Sequence, residues 1–184
     1  MSTSDYADNT YDYSSYTSWG AEAIGVAPYL DYLEDSFLLE SAQRYDIKGK
    51  AYIETPKKYY FSDMGLRNAA IHYRQIEITH IIENLVYLEL LRRDYIVDIG
   101  KNREKEIDFV ARELGGRQYY IQVSYTIQDE AVKEREISAF HKLDDGYKKI
   151  LITMDRNPLS NLENGYRMMY LLDFLLNENA LEKA

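Results

Sequence analysis

From Thr79 to Ile127 the chain reads as one buried helix followed by three strands, with little more than turns between them. Ile81, Ile82, Leu85, Val86, Leu88, Leu90 and Leu91 put apolar groups on most sides of a helix that Thr79 is placed to cap. Arg92 and Arg93 close it, where cations favour the helix dipole. Strand-like segments follow at Tyr95–Ile99, Glu106–Arg112 and Gln118–Ile127, and the connections Lys101–Lys105 and Gly115-Gly116 suit antiparallel hairpins. A charged helical stretch from about Asp129 to Leu143, a core strand at Lys149–Thr153, a loop with Pro158 and Gly165, and an apolar segment at Met168–Leu176 complete the run. A mixed sheet flanked by helices is the α/β solution for that order.

Upstream, Pro28 suits a helix start, and Leu30, Leu33, Phe37 and Leu38 recur at helical spacing. Gly49 marks a turn between two extended pieces within residues 42–52, Lys57–Phe61 reads as a strand, and Asp63 caps a short helix ending near Ala70. Residues 28–76 thus have the outline of a partial winged helix lacking its two upstream helices. Lys48, Lys50, Lys57 and Lys58 fall on or near its wing, where they are candidates for phosphate contacts; the alternative is a solvated hairpin. Residues 1–27 are rich in Ser, Asp and Tyr without periodicity and read as a flexible tail, and residues 177–184 as a short C-terminal one.

The net charge of −9 over 184 residues argues against a general polyanion binder. Its distribution softens that argument. No base precedes Arg44, the first 43 residues carry eight acids, and residues 44–184 hold 23 acids against 22 bases. The body can therefore carry a local basic patch. With no Cys, disulfides and Cys-ligated zinc are excluded, which fits a cytoplasmic location. His72, His80 and His141 are too scattered for a His-rich metal site. No apolar run reaches the roughly 20 residues of a membrane span, and no secretory signal pattern is present. The 19 tyrosines fall among acids or on strands, where sheet packing explains them better than base stacking.

Strand alternation selects the residues that can carry chemistry. Tyr119, Ile121, Val123 and Tyr125 point one way; Gln122 and Ser124 point the other, with Tyr120 and Thr126. In the preceding strand Ile107, Phe109 and Ala111 are expected on one side, with Asp108 opposite beside Val110. A carboxylate in so apolar a strand needs a partner or a metal. On the helix, Glu89 falls near the middle of the apolar stripe and Glu83 at its edge, so either acid can approach the sheet. A helix Glu, a strand Asp and a polar pair make a hard-oxygen set suited to Mg²⁺ and water activation. The alternative is that Asp108 accepts hydrogen bonds and organises the sheet.

Glu83–Tyr95 (ENLVYLELLRRDY), Glu106–Ala111 (EIDFVA) and Tyr120–Ser124 (YIQVS) resemble the PD-(D/E)XK nuclease-like core. The segments YLDYLEDSFLL, RYDIKGK, KYYFSDMGLRNA and EREI, in that order, are similar to a C-terminal domain of unknown function found in prokaryotic AAA+-type ATPases. Over about residues 28–176 the resemblance implies a restriction-endonuclease-like α-β-β-β-α-β sheet at 77–176, preceded by the winged-helix-like segment and partnered by a P-loop ATPase. It aligns Glu83 with the helix acid, Asp108 with the strand acid, Gln122 with the Glu position and Ser124 with the Lys position. Asp108 and Glu83 would be the metal ligands. Two departures stand out: Gln122 is a poorer Mg²⁺ ligand than a carboxylate, and Ser124 cannot supply a cation. Lys133 and Arg135 on the following helix are possible substitutes.

The sequence contains no G-x-x-x-x-G-K-[ST] phosphate loop, so an ATPase module, if the chain belongs with one, is expected outside this sequence, encoded separately or lost. The expectation is a nuclease-like accessory module, non-catalytic or weakly catalytic, acting in DNA or partner recognition. The alternatives are an active Mg²⁺-dependent endonuclease using Glu83, Asp108 and Gln122, and a protein-interaction or homo-oligomerisation domain without nucleic-acid contact.

Overall fold

The computed structural model describes residues 26–54, 56–70, 78–103, 105–156 and 165–183. The expected N-terminal tail up to residue 25, His72 and the Pro158 loop lie outside the described residues.

The N-terminal part comprises α1 (Ala27–Asp35), β1 (Leu39–Ala42), β2 (Arg44–Asp46), β3 (Ala51–Tyr52), β4 (Lys58–Phe61) and α2 (Met64–Ala70). Then come α3 (Ile78–Arg92), β5 (Ile96–Asn102), β6 (Lys105–Arg112), β7 (Gln118–Ser124), α4 (Glu130–Ile137) with a 3₁₀ turn Ser138–Phe140, and β8 (Lys148–Thr153). β9 (Arg167–Tyr170), α5 (Leu171–Leu176) and α6 (Ala180–Lys183) end the chain. Pro28 occupies the first turn of α1, Asp63 accepts from Leu66 N–H, and the Asp129 carboxylate caps α4 through Ala131 and Val132. The helix–three strands–helix–strand order matches the sequence reading. The final apolar segment divides, however, into a strand and a helix.

Seven strands form one mixed sheet in the order β3-β2-β5-β6-β7-β8-β9, and β1 pairs with β4 in a separate two-stranded sheet. The Gly49 hairpin is therefore not a free wing. β2 runs parallel to β5, so β2 and β3 extend the main sheet, across the expected boundary near residue 76.

Each face of the sheet carries its own core. Ile82, Val86 and Leu90 of α3, with Phe174 and Leu181, pack on Ile99, Phe109, Ile121 and Ile150. On the opposite face Ile137, Phe140 and Leu143 pack on Ile107, Val110, Tyr120 and Leu151. β7 alternates as expected, but β6 does not. Ile107 lies with Val110, on the face opposite Phe109 and Ala111. The pairing shows why: Asp98 faces Val110, but Gly100 faces Ile107, so β6 carries an extra residue opposite Ile99. That bulge at Asp108–Phe109 breaks the alternation beside the candidate acid. Gly100 is required there, since a Cβ would meet Val110 Cγ2 at 2.8 Å and Ile107 Cβ at 3.0 Å.

Candidate functional site

The β6–β7 backbone ladder ends at the Phe109–Ile121 pair, although both strands continue beyond it. Side chains take over the pairing. Val123 N–H donates to Asp108 Oδ2 at 2.7 Å, and Asp108 N–H donates to Gln122 Oε1 at 3.3 Å. The Gln122 amide nitrogen then donates to Glu136 Oε2 on α4 at 3.1 Å. Asp108 and Gln122 thus meet where the two strands part, next to the bulge.

Glu83 approaches this point from α3. It is 7% exposed and sits under β4, whose alternation places Lys58 and Tyr60 on one face. Lys58 Nζ lies 2.6 Å from Glu83 Oε1, and Tyr60 donates its hydroxyl to the same oxygen at 2.8 Å. His80 Nδ1 is 3.9 Å from Glu83 Oε2, and Glu106 Oε1 is 3.8 Å from Lys58 Nζ. Tyr60 is held by stacking on Tyr87 at 4.0 Å between ring centroids.

These contacts drive the two acids apart electrostatically. Burial works to raise Glu83, but His80, Lys58 and Tyr60 outweigh it and hold the carboxyl down at about 2. Asp108 goes the other way. Burial and the Glu83 charge push it up to about 8 against the pull of Lys58 and the Val123 N–H, so at neutral pH it keeps its proton. Burial works to lower Lys58, yet Glu83, Asp108 and Glu106 hold it above the ordinary lysine value.

Three of the four residues singled out in the sequence, Glu83, Asp108 and Gln122, come together. Ser124 is buried on the same strand, but its hydroxyl donates to Thr126 O at 3.0 Å. Glu89 lies elsewhere, bound by Arg92 at 2.7 Å and by Arg93. Of the possible substitute cations, Lys133 is taken by Glu130 at 3.1 Å, and Arg135 pairs with Glu136 at 2.8 Å, one residue removed from Gln122. The donor set does not fit a hard divalent cation as arranged. Glu83 is occupied by an ammonium and a hydroxyl, Asp108 accepts from the Val123 N–H, and among the described residues no group of three His, Cys, Asp or Glu is placed to hold a metal.

The four lysines expected to share one phosphate-contacting surface divide. Lys57, just before β4, pairs with Glu34 of α1 at 3.2 Å, and Lys58 pairs with Glu83 because β4 packs on α3; Lys48 and Lys50 stay exposed on the β2–β3 turn. The sequence reading missed Tyr60, Glu106 and Glu136, and the place of Lys58 within the site. The alternation of Lys58 and Tyr60 on a strand was a usable signal for a shared face. Nothing local pointed to Glu106 or Glu136.

No helix among the described residues is long and apolar enough to cross a membrane. Residues 3–77 match the model of a domain of unknown function, DUF8612. The chain is 40% identical over 151 residues to an uncharacterized protein of Haemophilus influenzae, covering 82% of this chain and 36% of that one. It is 33% identical over 118 residues to the uncharacterized protein MJ1544 of Methanocaldococcus jannaschii, covering 62% of this chain and 25% of the relative. The chain thus spans about a third or less of the length of these relatives. No solved structure matches it significantly.

Proposed function

We propose that residues 28–176 form a restriction-endonuclease-like accessory module that recognises DNA and has lost, or nearly lost, hydrolysis. It would serve a prokaryotic P-loop ATPase supplied by another part of a longer protein or by a separate chain. The helix-strand-strand-strand-helix-strand order, and the meeting of Glu83 with Asp108 where β6 and β7 part, support the lineage. The length of the relatives leaves ample chain for a further module.

The observation that carries the loss of hydrolysis is the closure of the acid pair from within. Metal-assisted phosphodiester cleavage needs ionised carboxylates free to bind the cation and a group that offsets charge in the transition state. Here Lys58 and Tyr60 satisfy Glu83, Gln122 spends its amide on Asp108 and Glu136, and Ser124 turns to Thr126.

Incubating the chain with supercoiled plasmid and single-stranded DNA in Mg²⁺ or Mn²⁺ tests this reading. No cleavage above the buffer control is expected. Cleavage that disappears in Asp108→Ala would establish the active endonuclease instead. Failure to bind any DNA would favour the protein-interaction reading.

A further inference from the structure

Three turns meet at one end of the main sheet, and each carries bases. The β2–β3 turn holds Lys48 and Lys50, the β5–β6 connection follows Lys101 and holds Arg103, and the turn after the 3₁₀ segment holds Lys142. Hydrogen bonds tie the turns together. Ile47 N–H donates to Lys101 O at 3.1 Å, and Asn102 Nδ2 donates to both Ala139 O and His141 O at 3.0 Å. Lys105, at the start of β6, donates to Ser138 Oγ.

Among the described residues, Lys48, Lys50, Lys101, Arg103 and Lys142 make no salt bridge, although the chain as a whole is strongly acidic. Acids lie among these bases too. Asp46 accepts from the backbone of Lys48 and Gly49, Glu106 pairs with Arg44, and exposed Asp144 follows Lys142 by two residues, so the bases outnumber the acids without excluding them. An independent feature coincides with the charge. Among the described residues five non-glycine residues have positive φ, and three of them are Lys50 (51°), Arg103 (58°) and Lys142 (66°), one in each turn. Lys and Arg gain nothing locally from this backbone region, so the turns hold these bases against their conformational preference.

We infer that these three turns form a docking surface for the phosphate backbone of duplex DNA. The inference rests on the DNA-recognition reading above and gives it a location. Exposed, unpaired bases from several turns release counterions on contacting phosphates and position a duplex without reading its sequence. Beside the turns Tyr45 and Tyr52 pack edge to face on each other, with Arg112 over the Tyr45 ring. Single-strand stacking on the exposed Tyr52 is thus the competing mode, separated by the relative affinity for single strand and duplex. Lys105 is three residues before Asp108 on β6, about 10 Å along the strand, so a duplex held here runs beside the acid pair.

Fluorescence anisotropy of a labelled DNA duplex, titrated between about 50 and 200 mM salt, tests the assignment. Lys50→Gln/Arg103→Gln should reduce the slope of log affinity against log salt by about 2, at roughly 0.9 per lost contact. The matched double variant Arg92→Gln/Arg117→Gln, whose bases pair with Glu89 and Glu113 near the β6–β7 turn, should leave the slope unchanged. Equal effects of the two double variants, no effect of the first, tighter binding of a single strand, or tighter binding of duplex RNA would each overturn the duplex-DNA surface. Duplex cleavage in Mg²⁺ would instead overturn the loss of hydrolysis and leave the surface standing.

Discussion

Lys58 Nζ lies 2.6 Å from Glu83 Oε1, which joins a base from the small two-stranded sheet to a buried acid of α3. The contact crosses from the N-terminal segment into the core. Asp108 and Tyr60 both respond to the Glu83 carboxylate.

Removing the ammonium should be costly. Lys58→Met leaves Glu83 buried and ionised without its cation. Breaking a fully buried pair costs about 3–5 kcal/mol, and partial exposure of the lysine reduces the expected loss to about 2 kcal/mol. Urea unfolding at pH 7 measures it. Lys58→Met/Glu83→Gln should recover more than half of the loss, because no uncompensated charge remains.

Tyr60→Phe removes one donor to Glu83 and keeps the ring stacked on Tyr87. A hydrogen bond to a charged group is worth about 1.5–3 kcal/mol. With Lys58 still in place, the loss in urea unfolding should fall at the lower end of that range.

Asp108 sets a pH dependence of definite sign. Its folded value is raised to about 8 from 3.8, so between those values the folded chain holds a proton that the unfolded chain has released. Its contribution to stability therefore falls as pH rises across that window, by up to about 1.4 kcal/mol per unit. Glu83, held down at about 2, contributes stability above its ordinary 4.5 and loses it as the solution is acidified below that value. Asp108→Asn should thus gain on the wild type between pH 5 and pH 8, as read by urea midpoints. A constant difference across that range would contradict the assignment.

Gly100→Ala should destabilise by about 1–3 kcal/mol through overpacking. The added methyl meets Val110, Ile107 and the Ile47 side chain, all on the bulged side of β5–β6. Thermal unfolding measures the loss, and an unchanged midpoint would show that the bulge can relax.

The long helix, the three strands after it and the helical stretch from about Asp129 were legible because each rests on local periodicity. The long helix starts at Ile78, however, so Thr79 lies inside it and does not cap it. Glu83 and Asp108 were legible as acids in apolar surroundings. What escaped was long-range. The bulge at Asp108–Phe109 depends on how β6 meets Gly100, so strict alternation put Ile107 on the wrong face. Lys58 looked like a surface base because nothing near it in sequence shows that β4 packs on α3. β2 and β3 looked like a wing because their partner, β5, lies some fifty residues further on.

The most direct test of the internally closed acid pair is calorimetric titration of Mn²⁺ into the wild-type chain at neutral pH. With Lys58 in place on Glu83 and the proton on Asp108, no saturable heat is expected at millimolar metal. A saturable micromolar site that vanishes in Asp108→Ala would contradict the account.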